Sequence, residues 1–168
     1  MGNLKILIRE SVPSSVQLLF DNTKLDIVKT LLLLYTFSLQ SKTKYKKVSE
    51  IVFYYSLVNF DLIKLFDSEG NSDKLSINLY FRFQLKINQI VLQLSQLAFI
   101  DVKGNLGVKT GDIGIRLSST GLSFVEKLDS DYFTNLVNEY KNVLSTIEYS
   151  TANLKILKGG AVESYEIQ

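Results

Sequence analysis

The stretch from Ile87 to Leu128 constrains the fold more than any other part of this chain of 168 residues. It opens with apolar residues at helical spacing and changes to strand-like residues at 99–102. Residues 103–114 contain four glycines and predict a hairpin turn, because glycine reaches positive φ without steric cost. Residues 113–118 then alternate as a returning strand, and Ser118 to Thr120 can cap a short helix that runs to Leu128.

The rest of the chain is predominantly helical in pattern. Apolar residues recur every three or four positions in several windows, which is typical of amphipathic helices. Residues 67–76 predict a polar loop, Leu4–Ile8 predicts a short strand, and no strong pattern follows Ser150. The long helices are predicted at Thr23–Gln40, Val48–Leu62, Gln84–Ala98 and Tyr132–Glu148.

The order of these elements indicates a fold. A helix, a hairpin and a capped helix that follow two long helices predict a winged helix-turn-helix. The expected class is therefore mainly α with a small β-hairpin wing and with extra N- and C-terminal helices. We expect one domain over 1–168, with a core at about 23–128 and a C-terminal helix and tail at 129–168. The alternative is an unrelated α+β domain with one hairpin.

Composition argues against several kinds of chemistry. The chain has no cysteine and no histidine, which excludes disulfides, thiolate metal sites and a Ser-His dyad. Its Asp and Glu residues are scattered without paired spacing on a helix face. A Ser-Lys dyad stays open, although no motif proposes one. The sequence therefore predicts a protein that is not an enzyme, with no cofactor, metal or small-molecule substrate.

The most apolar window, Leu25–Leu39, is too short to span a bilayer and includes Asp26 and Lys29. No signal peptide is recognisable at the start of the chain. The absence of cysteine fits a reducing compartment. We therefore expect a cytoplasmic protein whose apolar window is a buried helix.

Two sets of basic residues could contact DNA. In the predicted fold the third helix takes the position that enters the major groove, where amides can read adenine. That helix lacks arginine, so few phosphate contacts are expected. The alternative is that the polar residues of this helix form an ordinary solvated surface. The candidate DNA-binding residues are Lys42, Lys44, Lys46, Lys47, Lys86, Gln89, Lys103, Lys109 and Arg116.

Aromatic residues are more numerous than one small core requires. Phe53, Tyr54 and Tyr55 are consecutive, so we expect that they cannot all point inward from one helix. Aromatic side chains are enriched in interface cores. The alternative is that the third helix and the tail cover them. The candidate partner-binding residues are Phe53, Tyr54, Phe60, Phe66, Tyr80, Phe81 and Phe83.

Three segments carry a resemblance to a known family: LDIVKTLLLLYTFSL, KVSEIVFYYSLVNFDLI and LYFRFQLKINQIVLQLSQLAFIDV. With the hairpin that follows, they resemble the middle component (C subunit) of bacterial three-component ABC/SMC-like ATPase anti-phage systems of the Lamassu type. The resemblance covers residues 24–128. It implies an SMC-like ABC ATPase subunit and an effector subunit as partners, and it carries over no catalytic residues.

The expected function is that of a non-catalytic accessory subunit in anti-phage or plasmid defence. The first two helices would hold the partner, and the hairpin and basic loop would add weak, non-specific DNA contact. The alternative is a dimeric winged-helix DNA-binding transcription regulator with Tyr132–Glu148 as its dimer seam. A third possibility is a structural adaptor without DNA contact.

Overall fold

The computed structural model describes residues 22–67, 74–104 and 109–166. These residues are mainly helical, with one small antiparallel sheet, as the sequence predicts. Strands β1 (Lys46–Lys47), β2 (Ile100–Lys103) and β3 (Gly114–Leu117) form the sheet. The helices are α1 (Asn22–Gln40), α2 (Val48–Asn59), α3 (Lys74–Gln96), α4 (Ser119–Glu126), α5 (Asp131–Thr146) and α6 (Thr151–Glu166).

Strands β2 and β3 form an antiparallel hairpin with β3 at the centre of the sheet, and the prediction of that hairpin is confirmed. Ile100 pairs with Leu117, and β1 adds to the other edge of β3, so that the strand order is β1-β3-β2. Ile115 and Leu117 point into the core while Arg116 points to the opposite face. The predicted turn residues 105–108 and the predicted strand Leu4–Ile8 lie outside the described residues.

The predicted cap at Ser118 is also confirmed. Its hydroxyl accepts a hydrogen bond from the backbone N–H of Gly121 at 3.0 Å and donates one to the carbonyl of Ala98 at 2.6 Å. Gly121 is buried where α4 crosses the hairpin, and a Cβ there would collide with the Phe99 carbonyl. The cap and the glycine together fix α4 against the start of β2.

Helix α2 is buried on all sides, which contradicts the expectation that some of its aromatic residues face outward. Phe53, Tyr54 and Tyr55 are 0%, 5% and 1% exposed. The reason is that α2 passes between α1, α3 and α5, with the sheet near its first turn and a 3-10 turn at Leu62–Phe66 near its end. A helix that is apolar all round is stable only when it is enclosed in this way.

Helix α3 begins at Lys74, ten residues before the predicted start at Gln84. The predicted loop 67–76 is therefore partly helix, and its residues 68–73 lie outside the described part. The buried side of α3 begins at its aromatic residues and continues along the helix with side chains three or four residues apart. This buried side consists of Tyr80, Phe83, Ile87, Ile90, Val91 and Leu94.

The C-terminal part of the chain packs against the helical core. Tyr54 Oη donates a hydrogen bond to the carbonyl of Ile147 at 2.9 Å and accepts one from the N–H of Tyr149 at 3.0 Å. Residues 151–166, which showed no strong pattern in the sequence, form α6. Leu157 on α6 is fully buried, so tertiary packing outweighs the weak pattern there.

Helix α5 does not offer the dimer seam that the alternative function requires. Leu136, Tyr140 and Val143 are buried, and α5 packs on α1 and α2 of its own chain. The hydroxyl of Tyr140 donates to the carbonyl of Lys29 at 3.1 Å and accepts from Asn59 at 2.8 Å. The apolar face of α5 therefore belongs to the core of the protein.

Candidate functional site

The outer side of α3 carries exposed apolar side chains. Leu85 is 83% exposed, Leu92 is 51% exposed and Phe81 is 37% exposed. With Asn88, which is also exposed, these residues follow one another at spacings of four, three and four along the helix. We call the row Phe81, Leu85, Asn88 and Leu92 the outer stripe. Its spacing is that of the a and d positions of a coiled coil, so it forms one continuous ridge.

Lys86 does not belong to this exposed side, which contradicts its prediction as a DNA contact. Its Nζ donates a hydrogen bond to Asp26 Oδ2 on α1 at 2.6 Å. Tyr55 Oη donates to the other carboxylate oxygen at 2.7 Å. Burial, reinforced by the charge of Asp26, raises the pKa of Tyr55 well above its usual value, so it stays a donor. Lys86 therefore joins α1, α2 and α3 and is not free to bind phosphate.

The polar residues of α3 that remain exposed are mostly amides. Gln89 is exposed as predicted, as are Gln93 and Gln96, and among residues 78–96, whose burial is described, Arg82 is the exposed cation. Amides can read a base edge, but they do not neutralise phosphate. One arginine supplies little of the electrostatic affinity that holds a protein on DNA. The outer side of α3 is therefore better suited to contact protein than to read bases.

Two of the four lysines in the predicted basic cluster are engaged with neighbouring side chains. Lys46 Nζ lies 3.5 Å from Glu50 and 5.0 Å from the centre of the Phe37 ring, where a cation is attracted to the aromatic face. Lys47 Nζ lies 3.9 Å from Asp112, in an exposed pair that contributes little energy. Lys46 is thus a structural residue, whereas Lys47 can still turn towards a ligand.

Arg116 connects the hairpin to the loop that follows α1. Its Nε donates to Asp101 at 3.1 Å, its Nη1 donates to the carbonyl of Thr43 at 3.0 Å, and its guanidinium lies 4.5 Å from the Tyr45 ring centre. Lys103 Nζ lies 5.7 Å from the same ring. Lys103 and Arg116 therefore already lie against the ring of Tyr45, and the hydrogen-bond donors of Arg116 are used inside the protein. Its prediction as a DNA contact is therefore not supported by this geometry.

Besides Lys47, four lysines of the predicted set remain as exposed candidates for phosphate contact: Lys42, Lys44, Lys103 and Lys109. They lie on the loop after α1 and on the hairpin, which the bond between Arg116 and Thr43 holds together. Lysines without an available arginine can give weak attraction to a polyanion, and this attraction falls steeply with salt. The contacts of Lys103 and Arg116 with Tyr45 therefore place part of the predicted DNA set beside the loop that carries Lys42 and Lys44.

Most of the predicted partner-binding aromatics are core residues. Phe53, Tyr54, Tyr80 and Phe83 are at most 5% exposed, so their prediction as partner contacts is wrong. The ring of Phe83 stacks on Tyr55 with centroids 3.8 Å apart. Phe60 and Phe66 are half-buried and pack against the same core, which leaves Phe81 as the exposed member of the set.

Leu85 and Leu92 are interface candidates that sequence reasoning missed. The residues that the sequence analysis assigned to the DNA-facing side of this helix are polar or basic. The missed signal was a second set of apolar residues, Phe81, Leu85 and Leu92, at spacings of four and seven along the helix. Two apolar rows on one helix predict that one packs inside the protein and the other is left for a partner.

The buried tyrosines are structural groups. Burial raises the pKa of Tyr54 to about 12 and that of Tyr80 to about 12, and it raises the pKa of Tyr140 further. Each phenol therefore stays neutral near pH 7 and is unsuited to act as a base or nucleophile there. Their hydroxyls position neighbouring helices where they form hydrogen bonds.

The described clefts and charged groups do not point to a catalytic or metal site. A cleft of about 350 Å³ lies between α1, α4 and α5, and among its described lining residues Glu126 is the single carboxylate. Within the described ranges, no three His, Cys, Asp or Glu residues come together as metal ligands. None of the described helices combines the length and apolar character needed to cross a membrane.

Known proteins give no guide to the use of the outer stripe. Comparison with models of protein families, with curated proteins and with solved structures finds no match to this chain. Function is therefore inferred from the exposed residues, bonds and charges described above.

Proposed function

We propose that this chain is a winged-helix protein that works as a non-catalytic assembly subunit. The element order α1–β1–α2–α3–β2–β3, with β3 between the other two strands, supports the winged-helix assignment. In that fold α3 takes the position of the helix that enters the major groove in DNA-reading relatives. The chemistry of its outer side then decides between reading DNA and binding protein.

The observation that carries the proposal is the outer stripe. Leu85 and Leu92 expose large apolar side chains where a DNA-reading helix would present hydrogen-bonding and basic groups. Full burial of one leucine contributes about 1.5 to 3 kcal/mol. A partner that covers the stripe therefore gains several kcal/mol, whereas a phosphate backbone gains nothing from it.

The partners that we propose are those implied by the family resemblance: an SMC-like ABC ATPase subunit and an effector subunit of an anti-phage complex. The first two helices were expected to hold the partner, but α2 is enclosed by its own chain. We therefore assign the contact to α3. The chain supplies a surface for assembly, and catalysis belongs to the other subunits.

DNA contact is a secondary part of the proposal. Lys42 and Lys44 with Lys103 and Lys109 form a basic end on the hairpin side. These groups would hold DNA near the complex without reading its sequence. Their contribution should fall as salt rises, since it depends on counterion release.

Co-expression with an SMC-like ATPase encoded beside the gene tests the assembly function. The tagged wild-type chain should retain the ATPase, Leu85→Glu should reduce retention at least tenfold, and Gln93→Glu should leave it unchanged. Gln93→Glu is the matched control because it adds the same charge to an exposed site on α3 outside the outer stripe. Failure of the wild-type chain to retain the ATPase would contradict the proposal.

A further inference from the structure

We infer that the segment that binds the outer stripe is an acidic amphipathic helix of the partner protein. It lies along α3, inserts one apolar side chain into the cleft beside the stripe, and carries carboxylates on both sides of its apolar face. The inference rests on the proposed function, because it states the chemistry by which the partner holds the same surface.

A cleft of about 200 Å³ opens beside the outer stripe, between α3, α6 and the first turns of α2. Asn88 belongs to both the stripe and the cleft, so the two form one continuous surface. The cleft can receive one large apolar side chain, because its floor is apolar and buried whereas its rim is polar and at least half-exposed. The floor includes Val48, Val52 and Ile87, and the rim includes Gln84, Asn88 and Lys158.

The shape of the surface favours a helix as the bound segment. From Phe81 to Leu92 the outer stripe forms a ridge about 16 Å long, with side chains at the spacing that packs between those of a second helix. An extended peptide gains affinity from backbone hydrogen bonds to a sheet edge, and a helix such as α3 has none to offer. The arrangement therefore matches binding of an amphipathic helix in a groove.

The charges around the outer stripe favour an acidic partner. Arg82 is exposed, and with 3.6 residues per turn it lies on the opposite side of the stripe from Gln84 and the cleft, where Lys158 is found. Helix α3 contains no acidic residue, and none is found among the described residues that line the cleft. An apolar surface with a cation on each side complements a helix whose apolar face has carboxylates on each side.

These two cations differ from Lys86, whose charge is already compensated by Asp26. Among the described residues, the ion pairs include neither Arg82 nor Lys158. A carboxylate of a partner can therefore approach either cation without displacing an acidic residue from one of these pairs.

The same cations could attract the phosphates of DNA, but the residues between them argue against it. Leu85 and Leu92 lie on the ridge that separates the two cations. A phosphate backbone that reached both cations would lose water against leucine side chains without a compensating hydrogen bond. An amphipathic helix instead places apolar side chains against the leucines and carboxylates against the cations.

The cleft adds to the contact that the outer stripe alone provides. Side chains that fill a well-packed pocket are the ones that contribute most to binding energy. A single helix still covers less than the roughly 800 Å² per partner of a standard interface, so a short model helix should bind with a dissociation constant of about 10 to 100 µM.

Two synthetic helices test the charge preference in the absence of the ATPase. Both contain about three heptads with leucine at the a and d positions, and the e and g positions are glutamate in the acidic peptide and lysine in the basic peptide. Fluorescence anisotropy should show at least tenfold tighter binding of the acidic peptide to the wild-type chain. Equal affinities for the two peptides, or no binding of the acidic peptide, would overturn the inference.

Matched charge variants test whether the acidic peptide uses this surface. Lys158→Glu and Gln84→Glu should each weaken its binding at least fivefold, because they place a carboxylate at the cleft. Lys127→Glu makes the same change as Lys158→Glu at an exposed site at the end of α4, and Gln93→Glu makes the same change as Gln84→Glu on α3 away from the cleft. Both controls should stay within twofold of wild type. Equal effects of the variants and their controls would mean that net charge alone attracts the peptide, and the inference would be wrong.

A tryptophan reporter tests the location independently, because the chain has no tryptophan of its own. The emission of Asn88→Trp should move to shorter wavelength when the acidic peptide binds, since the indole becomes covered where the stripe meets the cleft. The emission of Gln93→Trp should not move. Saturating peptide that leaves the emission of Asn88→Trp unchanged would show that the peptide binds elsewhere.

The inference and the proposed function fail in different ways. If the acidic peptide binds selectively at Asn88 but the tagged chain retains no ATPase, the acidic-helix site stands and the assembly function is wrong. If ATPase retention depends on Leu85 but is unchanged by Lys158→Glu and Gln84→Glu, the assembly function stands and the acidic partner helix is wrong. Displacement of the acidic peptide by a DNA duplex at about 0.15 M salt would assign the surface to nucleic acid and would also overturn the inference.

Discussion

Helices α2 and α3 are both rich in large apolar residues, yet they have opposite surroundings. The aromatic residues of α2 are enclosed by α1, α3 and α5, whereas α3 buries one row and exposes another. A count of aromatic residues favoured α2 as the interface. The comparison teaches that the placement of a row relative to neighbouring elements, and not its aromatic content, identifies a surface for a partner.

The largest expected difference between the helices is in stability. Phe53→Ala in α2 should lower the free energy of unfolding by about 3 to 5 kcal/mol, because it leaves a cavity in an enclosed site. Leu85→Ala in α3 should change it by less than about 0.5 kcal/mol, because the side chain is exposed in the monomer. Urea unfolding of dilute protein measures both. Similar losses in the free energy of unfolding for the two variants would contradict the proposed difference between α2 and α3.

Lys86 marks the boundary between the two sides of α3. Lys86→Met should lower the free energy of unfolding by about 2 kcal/mol, since the partly buried carboxylate of Asp26 loses a partner. It should leave DNA affinity unchanged, because Lys86 is already engaged. A double-mutant cycle with Asp26→Asn measures the coupling. A loss of DNA affinity with unchanged stability would place Lys86 on the outer side instead.

The buried side of α3 should also determine a response to alkaline pH. Burial raises the pKa of Tyr80 to about 12, so its contribution to stability is fully present below pH 10. That contribution is lost as pH rises from 10 through 12, because the unfolded phenol ionises first. Between pH 8 and pH 11 the wild-type chain should lose about 1 kcal/mol more than Tyr80→Phe. Urea titrations measure this difference. An equal loss of stability in the wild-type chain and in Tyr80→Phe would show that Tyr80 is not buried.

Among the buried positions, the smallest change in stability is expected at a buried, unsatisfied hydroxyl in α2. Among the described residues, Ser56 Oγ is a buried polar atom without a hydrogen-bond partner. Ser56→Ala should therefore raise the free energy of unfolding by about 0.5 to 1 kcal/mol, since it removes an unsatisfied group and favours helix. The midpoint of thermal unfolding measures the gain. A clear loss would mean that the hydroxyl has a bonded partner in solution.

Much of the local structure was predictable because it depends on short-range chemistry. The glycine-rich turn predicted the hairpin, and the hydroxyl of Ser118 predicted the start of α4, which is bonded as expected. The burial of α2 was not predictable in this way. It depends on α5 and on Tyr149, which reach α2 from about a hundred residues away in the chain.

The interface candidate was only partly predictable for a related reason. Phe81 belonged to the predicted partner-binding set because it is aromatic, whereas the sequence analysis assigned no role to Leu85. A sequence pattern shows that α3 has two apolar rows, but it does not show which row the rest of the chain covers. Packing of Tyr80 and Phe83 against α2 settles that point and leaves Leu85 outside.

Fluorescence anisotropy of a labelled DNA duplex most directly tests the claim that the outer side of α3 does not read bases. Wild-type chain and Gln89→Ala should bind the duplex with affinities within twofold of each other, and unrelated duplexes should bind equally well. Lys42→Ala combined with Lys44→Ala should weaken binding to all of them. A loss of tenfold or more for Gln89→Ala on one preferred sequence would contradict the account and make α3 a DNA-reading helix.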